Sequence, residues 1–250
     1  MGGTCCKCFQ KNQEEPSSDK LLSDFQEQPK EQSIKGFSVK EIVSLIGDCE
    51  KRLLNEVEKS PLESGFENVL DKQGVQVFCK DSQEGYSLIS KWKVPIEAQN
   101  LLKFLNAYDI RTQWDKNIQT IEKVCGITED ISVFYMKFRS VPMVTQREAL
   151  QATTYKQIGN NWVDVSTSVE SSEFPETEKP IRIKSKIGAY FLQPLENDPE
   201  GNLTSVTSLT ETNFGGSIPT GLVKRLSIQT VPKFVKSVVQ NYEKFFVNGV

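Results

Sequence analysis

The sequence predicts an α+β fold: a curved antiparallel sheet of about nine strands wrapped around one long C-terminal helix. Three observations carry this expectation. Runs in which apolar and polar residues alternate recur between about residues 66 and 212, punctuated by Gly, Asn and Pro turns. Helical periodicity appears at both ends of that stretch. The composition, 37% hydrophobic and 25% charged over 250 residues, supports one sizeable core with a polar, unstructured part beside it.

The elements follow in order. Residues 10–36 are rich in Gln, Glu, Lys, Ser and Pro and read as a disordered tether. A flexible segment of this size reaches about 30 Å. The division is therefore 1–36, leader and tether, and 37–250, folded domain. Ser38 and Glu41 form a capping-box pair, and Ile42, Leu45, Ile46, Cys49, Leu53 and Val57 follow at helical spacing up to Ser60-Pro61. Strands are expected at about 66–71, 74–80 and 86–94, with Gly74 and Gly85 in the turns. Two short helices at about 97–106 and 108–114 precede strands at about 118–124, 131–139, 147–157 and 161–170. Longer strands are expected at about 181–192 and 203–212. The last helix, about 217–247, carries Ile218, Leu222, Leu226, Val235, Val238, Tyr242 and Phe245 on one face, with a kink at Pro232. Such a sheet and helix pack dry or enclose a cavity, and patterning alone leaves both open.

Composition excludes several functions. The chain has no His, which removes Ser-His-Asp and Cys-His catalysis and His metal sites. Three crowded cysteines make a poor zinc site, because a closed site needs four ligands. No cofactor is implied, and no glycine-rich phosphate loop is present. A net charge of −3 argues against a nucleic-acid partner. No apolar run approaches a membrane span. An enzyme is therefore not expected, and a monomeric binding protein is.

The N-terminus carries its own chemistry. Met-Gly-Gly-Thr-Cys-Cys-Lys-Cys exposes Gly2 for myristoylation once Met1 is removed, and places Cys5, Cys6 and Cys8 for palmitoylation. The motif asks for Ser or Thr where Cys6 stands. One acyl chain holds a protein only marginally, so a second signal is needed. Residues 1–36 have five Lys against six acids, which leaves S-acylation as that signal. The expected location is cytoplasmic, on a membrane surface.

Several motifs stand in one order: Arg111-Thr-Gln-Trp-Asp115, Pro142-Met-Val-Thr-Gln-Arg147-Glu148, Trp162-Val-Asp-Val-Ser-Thr-Ser-Val-Glu170, Gly188-Ala-Tyr-Phe-Leu-Gln-Pro194 and Asn213-Phe-Gly-Gly216-Ser-Ile-Pro219. In this order the chain resembles the START family, the steroidogenic-acute-regulatory-related lipid-transfer domains, over about residues 40–247. The resemblance implies a helix-grip fold with an internal tunnel for one lipid (sterol, phospholipid or sphingolipid) and non-enzymatic binding, transfer or sensing. Gly221 stands where the family has an aromatic residue, and Asn213 where it has an acid.

Lipid tails need apolar walls, and a head group needs a few polar partners. Arg139, in Phe134-Tyr-Met-Lys-Phe-Arg139, is the candidate phosphate contact. Trp92, Tyr135, Tyr190, Leu222 and Leu226 are candidate walls. The apolar loop Val141, Pro142, Met143 and Val144 is a candidate gate. Trp114-Asp115 and Arg147-Glu148 read as structural pairs. The last segment, 217–250, has five basic residues to one acid, a charge suited to anionic head groups. The competing reading is a membrane-anchored adaptor with a dry core that binds a protein.

Overall fold

The computed structural model describes residues 33–82, 85–140, 144–195, 198 and 202–247. Gly2, Cys5, Cys6 and Cys8 lie outside the described residues, as do Val141, Pro142 and Met143.

The described fold begins with a hairpin, β1 (Ser33–Ile34) and β2 (Phe37–Ser38). Its two turn residues, Lys35 and Gly36, both have positive φ, the conformation a two-residue hairpin demands. The hairpin is held from outside. The Ser171 hydroxyl donates to Lys35 O (2.8 Å), Lys35 Nζ donates to Val124 O (2.8 Å), and Phe37 stacks on Phe174. Residues 33–36, read from the sequence as tether, are thus paired and packed. Helix α1 (Val39–Val57) follows at once, with Glu41 N–H donating to Ser38 Oγ at 3.3 Å. It buries Ile42, Ile46, Cys49 and Leu53, one stripe of a 3.6-residue period.

The strands are β3 (Glu67–Lys72), β4 (Val75–Ser82), β5 (Gly85–Val94), β6 (Ile118–Gly126), β7 (Ser132–Phe138), β8 (Arg147–Ile158), β9 (Asn161–Ser168), β10 (Ile181–Arg182), β11 (Lys184–Pro194) and β12 (Thr204–Asn213). Between β5 and β6 lie α2 (Ala98–Leu105) and α3 (Tyr108–Trp114); α4 (Thr220–Tyr242) closes the fold and passes into a π-helical turn, Glu243–Val247. The sheet order is β3-β4-β5-β12-β11-β9-β8-β7-β6, antiparallel throughout, with β10 parallel to β8.

The expected strand at 181–192 is two strands. Side chains of β9 cause the break. Thr167 Oγ1 donates to the carbonyls of Ser185 and Lys186, Ser168 Oγ donates to Ile183 O, and Ser185 N donates to Ser168 Oγ. These bonds replace ladder bonds, so β11 pairs with β9 only from Gly188 onward.

The sheet's two faces carry two cores, as period-2 alternation requires. On one face Ile89, Leu150, Val163, Val165, Ile187 and Leu209 pack under α1. On the other Leu88, Trp92, Leu192 and Val206 pack with α2, α3 and the far half of α4. Val235 and Val238 are the buried residues of α4, which runs on through Pro232. Phe104 anchors this end, edge-on to Tyr242 at 5.8 Å and stacked with Trp114 at 4.8 Å.

Candidate functional site

The first half of α4 does not close on the sheet. Between them lies a cavity of about 750 Å³. Its floor is the α4 face of β5, β11 and β12, where Trp92, Tyr190, Ser90 and Ser208 point inward; its roof includes Leu222, Leu226 and Phe234. Leu222 and Leu226 remain 50% and 53% exposed, whereas Val238 is fully buried. The helix is therefore anchored at its C-terminal end and open at its N-terminal end. Two polar ties hold the open end: Tyr86 Oη and Ser227 Oγ share a hydrogen bond (2.8 Å), and Lys224 Nζ donates to Asp81 Oδ1 (2.5 Å). No acidic residue lines the cavity among the described residues.

On the floor the polar side chains are hydroxyls. Ser90 and Ser208, opposite each other in the β5–β12 register, share a hydrogen bond of 2.7 Å. Tyr190 stands beside Ser208 in the same row, and burial pushes its hydroxyl up to about 12. Small residues make the space: Ser90, Ser208 and Thr210 stand where larger side chains would fill the floor.

The sequence candidates fall as follows. Trp92, Tyr190, Leu222, Leu226 and Val144 line the cavity, and so does Arg139. Arg139 lies one residue past β7, exposed on the rim, where its guanidinium donates to Thr112 O at 3.3 Å. Tyr135 is not a wall. It is on the opposite face of the sheet, at the edge of the α1 core, and its hydroxyl donates to Glu148 Oε2. The reason is alternation: Phe138 on the same strand lines the cavity, so Tyr135, an odd number of residues away, points to the other face. Desolvation first, then the Glu148 carboxylate, push the Tyr135 hydroxyl up to about 12.

Arg147 and Glu148 likewise part company. Glu148 points to the α1 face and pairs with Arg182, whose Nε and Nη2 lie 2.7 and 2.6 Å from Oε1. Arg147 points into the cavity mouth. Asp115 meets Arg111 (3.0 Å), whose guanidinium lies 4.4 Å from the Trp114 ring centroid, as expected of a structural pair.

Sequence reading missed Asp164. It sits in β9 between Val163 and Val165, faces the α4 side, and is one strand beyond Tyr190 in the register. Asn106 Nδ2 donates to Asp164 Oδ2 (2.8 Å), and Tyr108 Oη donates to Asn106 Oδ1 (2.8 Å). Burial pushes the carboxyl up to about 6, with Asn106 and the Arg111 charge only partly opposing. The folded pKa lies above the unfolded value. Its stabilising contribution is therefore complete below about pH 4 and is lost as pH rises through about 6. The ionised carboxylate costs roughly 3 kcal/mol at neutral pH. Asp164→Asn is expected to raise the melting temperature by several degrees at pH 7.5 and to change it little at pH 4. Equal shifts at both pH values, in paired thermal melts, count against the assignment. An acid in an apolar run was the visible signal.

Comparisons with known proteins agree with this architecture. The human ceramide transfer protein is 20% identical over 198 residues, covering 70% of this chain but 31% of that protein. The chain thus spans about a third of that relative's length. The Caenorhabditis elegans steroidogenic acute regulatory-like protein 1 is 22% identical over 163 residues, 64% of this chain and 62% of that protein. Among solved structures, human StAR-related lipid transfer protein 5 superposes with a TM-score of 0.73 at 17% identity, over 83% of this chain and 99% of that one. Human STARD10 gives 0.68 at 18% identity, over 82% and 80%. The sheet gripping a C-terminal helix is the same helix-grip fold. A family model described as the START domain matches residues 69–245, most of the chain, and the chain belongs to the START domain family.

Proposed function

We propose that the chain binds one lipid molecule in this cavity and carries it between membranes, or reports its presence, without catalysis. The carrying observation is the 750 Å³ space between sheet and α4, walled mainly by apolar side chains and hydroxyls, with cations and amides among the rest of its lining and no carboxylate among the described residues. Apolar walls favour tails, and the hydroxyls give a head or ring oxygen its partners. The relatives' names, a ceramide transfer protein and a lipid transfer protein, support the same class. An open cavity argues against the alternative, an adaptor with a dry core.

In this reading the open half of α4 and the apolar segment Val141, Pro142, Met143 and Val144 form the gate, Arg139 meets a head group at the rim, and Trp92, Tyr190, Leu222 and Leu226 hold the tail. Gly2, Cys5, Cys6 and Cys8 carry acyl chains that keep the monomeric domain on a cytoplasmic membrane face. An anchored domain suits local exchange better than long-range shuttling.

Mass spectrometry of the full chain from its own cells tests both parts. Native spectra are expected to show one lipid per chain, exchangeable with a mixed lipid extract. Denaturing spectra are expected to retain covalent acyl additions at the N-terminus. No adduct from sterols, phospholipids or sphingolipids sinks the cavity reading, and an unmodified intact mass sinks the anchor.

A further inference from the structure

We infer that the mouth of the cavity is a receptor for a phosphoryl anion, centred on the Arg147 guanidinium. The inference rests on the reading of the cavity as a lipid site and adds the charge of the head group that the site takes.

Arg147 opens β8, is 7% exposed, and lines the cavity. Its guanidinium binds only main-chain carbonyls. Nε donates to Phe214 O (3.2 Å), Nη2 to Gly215 O (2.9 Å), and Nη1 to Thr145 O. A guanidinium has five N–H donors, so two remain for a further acceptor. The other arginines that the fold partly buries each have a carboxylate: Arg52 with Glu211 at 2.6 Å, Arg111 with Asp115 at 3.0 Å, Arg182 with Glu148 at 2.6 Å. Arg147 has none among the described residues. Carbonyls satisfy its hydrogen bonds but not its charge, and a buried cation without a counterion is costly. The fold gives it no escape, because Gly216 leaves the room its Nη2 needs: a Cβ there would come within 2.9 Å.

The surroundings repeat the pattern. Lys116 and Arg139 line the same mouth, both exposed, and neither has a carboxylate partner among the described residues. With no acid lining the cavity, three cations face one opening. A guanidinium fork with two flanking cations suits a group that offers several oxygens around one centre, and charge-assisted bonds to phosphate are about twice as strong as neutral ones. The Arg147 counterion is therefore supplied by the ligand.

The test uses two ligands that differ only in this group, 1-oleoyl-lysophosphatidate and 1-monooleoylglycerol, titrated against the full chain, with oleate and inorganic phosphate alongside. Lysophosphatidate is expected to bind about tenfold more tightly than monooleoylglycerol. Arg147→Met is expected to bring the two within about threefold. Arg147→Lys keeps the charge but loses the fork, and is expected to lie between them. Because Arg147→Met removes ties to the 214–215 segment, a second variant on exposed residues, Lys116→Gln with Arg139→Gln, is expected to lose part of the preference with an unchanged melting temperature. Thermal protection of the parent chain, but not of Arg147→Met, by phosphate alone identifies free phosphate as a sufficient source. Protection by lysophosphatidate only identifies the lipid head. Equal affinity for the two lipids, or an equal gain with oleate, overturns the receptor. Failure of both lipids, with no adduct from a mixed lipid extract either, overturns the cavity reading instead.

Discussion

Arg182→Met is expected to lower the melting temperature of the chain by on the order of 10 °C. Glu148 is 2% exposed, and its carboxylate is satisfied by Arg182 through two guanidinium nitrogens at 2.7 and 2.6 Å and by the Tyr135 hydroxyl. Removing the arginine leaves a carboxylate buried with one neutral donor. Breaking such a pair costs about 3–5 kcal/mol, because the remaining charge keeps its desolvation penalty and loses its counterion. At roughly 2–4 °C per kcal/mol for a domain of this size, the shift is large. Arg182 also joins parts that the sheet ladder joins weakly. It sits on the two-residue β10, which pairs only with β8, and its Nη1 donates to Phe174 O at 3.4 Å. The double variant Glu148→Gln with Arg182→Met is expected to recover most of the loss, since both charges are then gone. Thermal melts of the four members of this cycle read the coupling directly. A single-variant loss of only 1–2 °C, or no recovery in the double variant, counts against a charge-paired core and makes Arg182 a packing residue.

The same cluster shows where the sequence was legible and where it was not. The strands of the sheet are visible in the sequence because runs rich in apolar, aromatic and β-branched residues are separated by turn residues, and along a strand successive side chains go to opposite faces. That alternation does not say which face is which. In Val133-Phe-Tyr-Met136 every residue is apolar or aromatic, so the pattern does not say which face Tyr135 takes; a one-residue offset moves a side chain through the sheet. The same ambiguity hid the parting of Arg147 and Glu148, neighbours in sequence that act on opposite faces. The break between β10 and β11 depends on Thr167 and Ser168 bonding to backbone across the sheet, which no local pattern encodes. Of the apolar segment expected as a gate, Val144 lines the cavity, and Val141, Pro142 and Met143 lie outside the described residues. The cavity itself was not legible, because empty space comes from what small residues on two separate strands fail to fill.

Ser208→Trp is therefore expected to abolish lipid binding without unfolding the domain. Ser208 lies in the middle of the cavity floor, beside Tyr190 on β11 and opposite Ser90 on β5, so an indole there projects into the 750 Å³ space and toward α4. The substitution removes the hydroxyl pair of 2.7 Å with Ser90, a loss of about 1 kcal/mol, since Ser90 keeps only the cavity before it. Against that, a tryptophan buries on the order of 200 Å² of apolar surface in a space that stands open in the parent, which offsets or exceeds the loss. The expected result is at least a tenfold drop in lipid uptake, read as loss of the stoichiometric adduct, with a melting temperature equal to or above that of the parent. The corresponding change at Tyr155, 52% exposed at the far end of β8, is expected to leave both quantities unchanged and controls for the indole itself. An undiminished adduct in Ser208→Trp, with the domain folded, moves the lipid out of this cavity altogether. A lost adduct with a lost melting transition is resolved by Leu226→Trp, which narrows the same space from the exposed roof, where no core packing is disturbed. If that variant keeps full lipid uptake, the space between sheet and helix is not where the lipid goes.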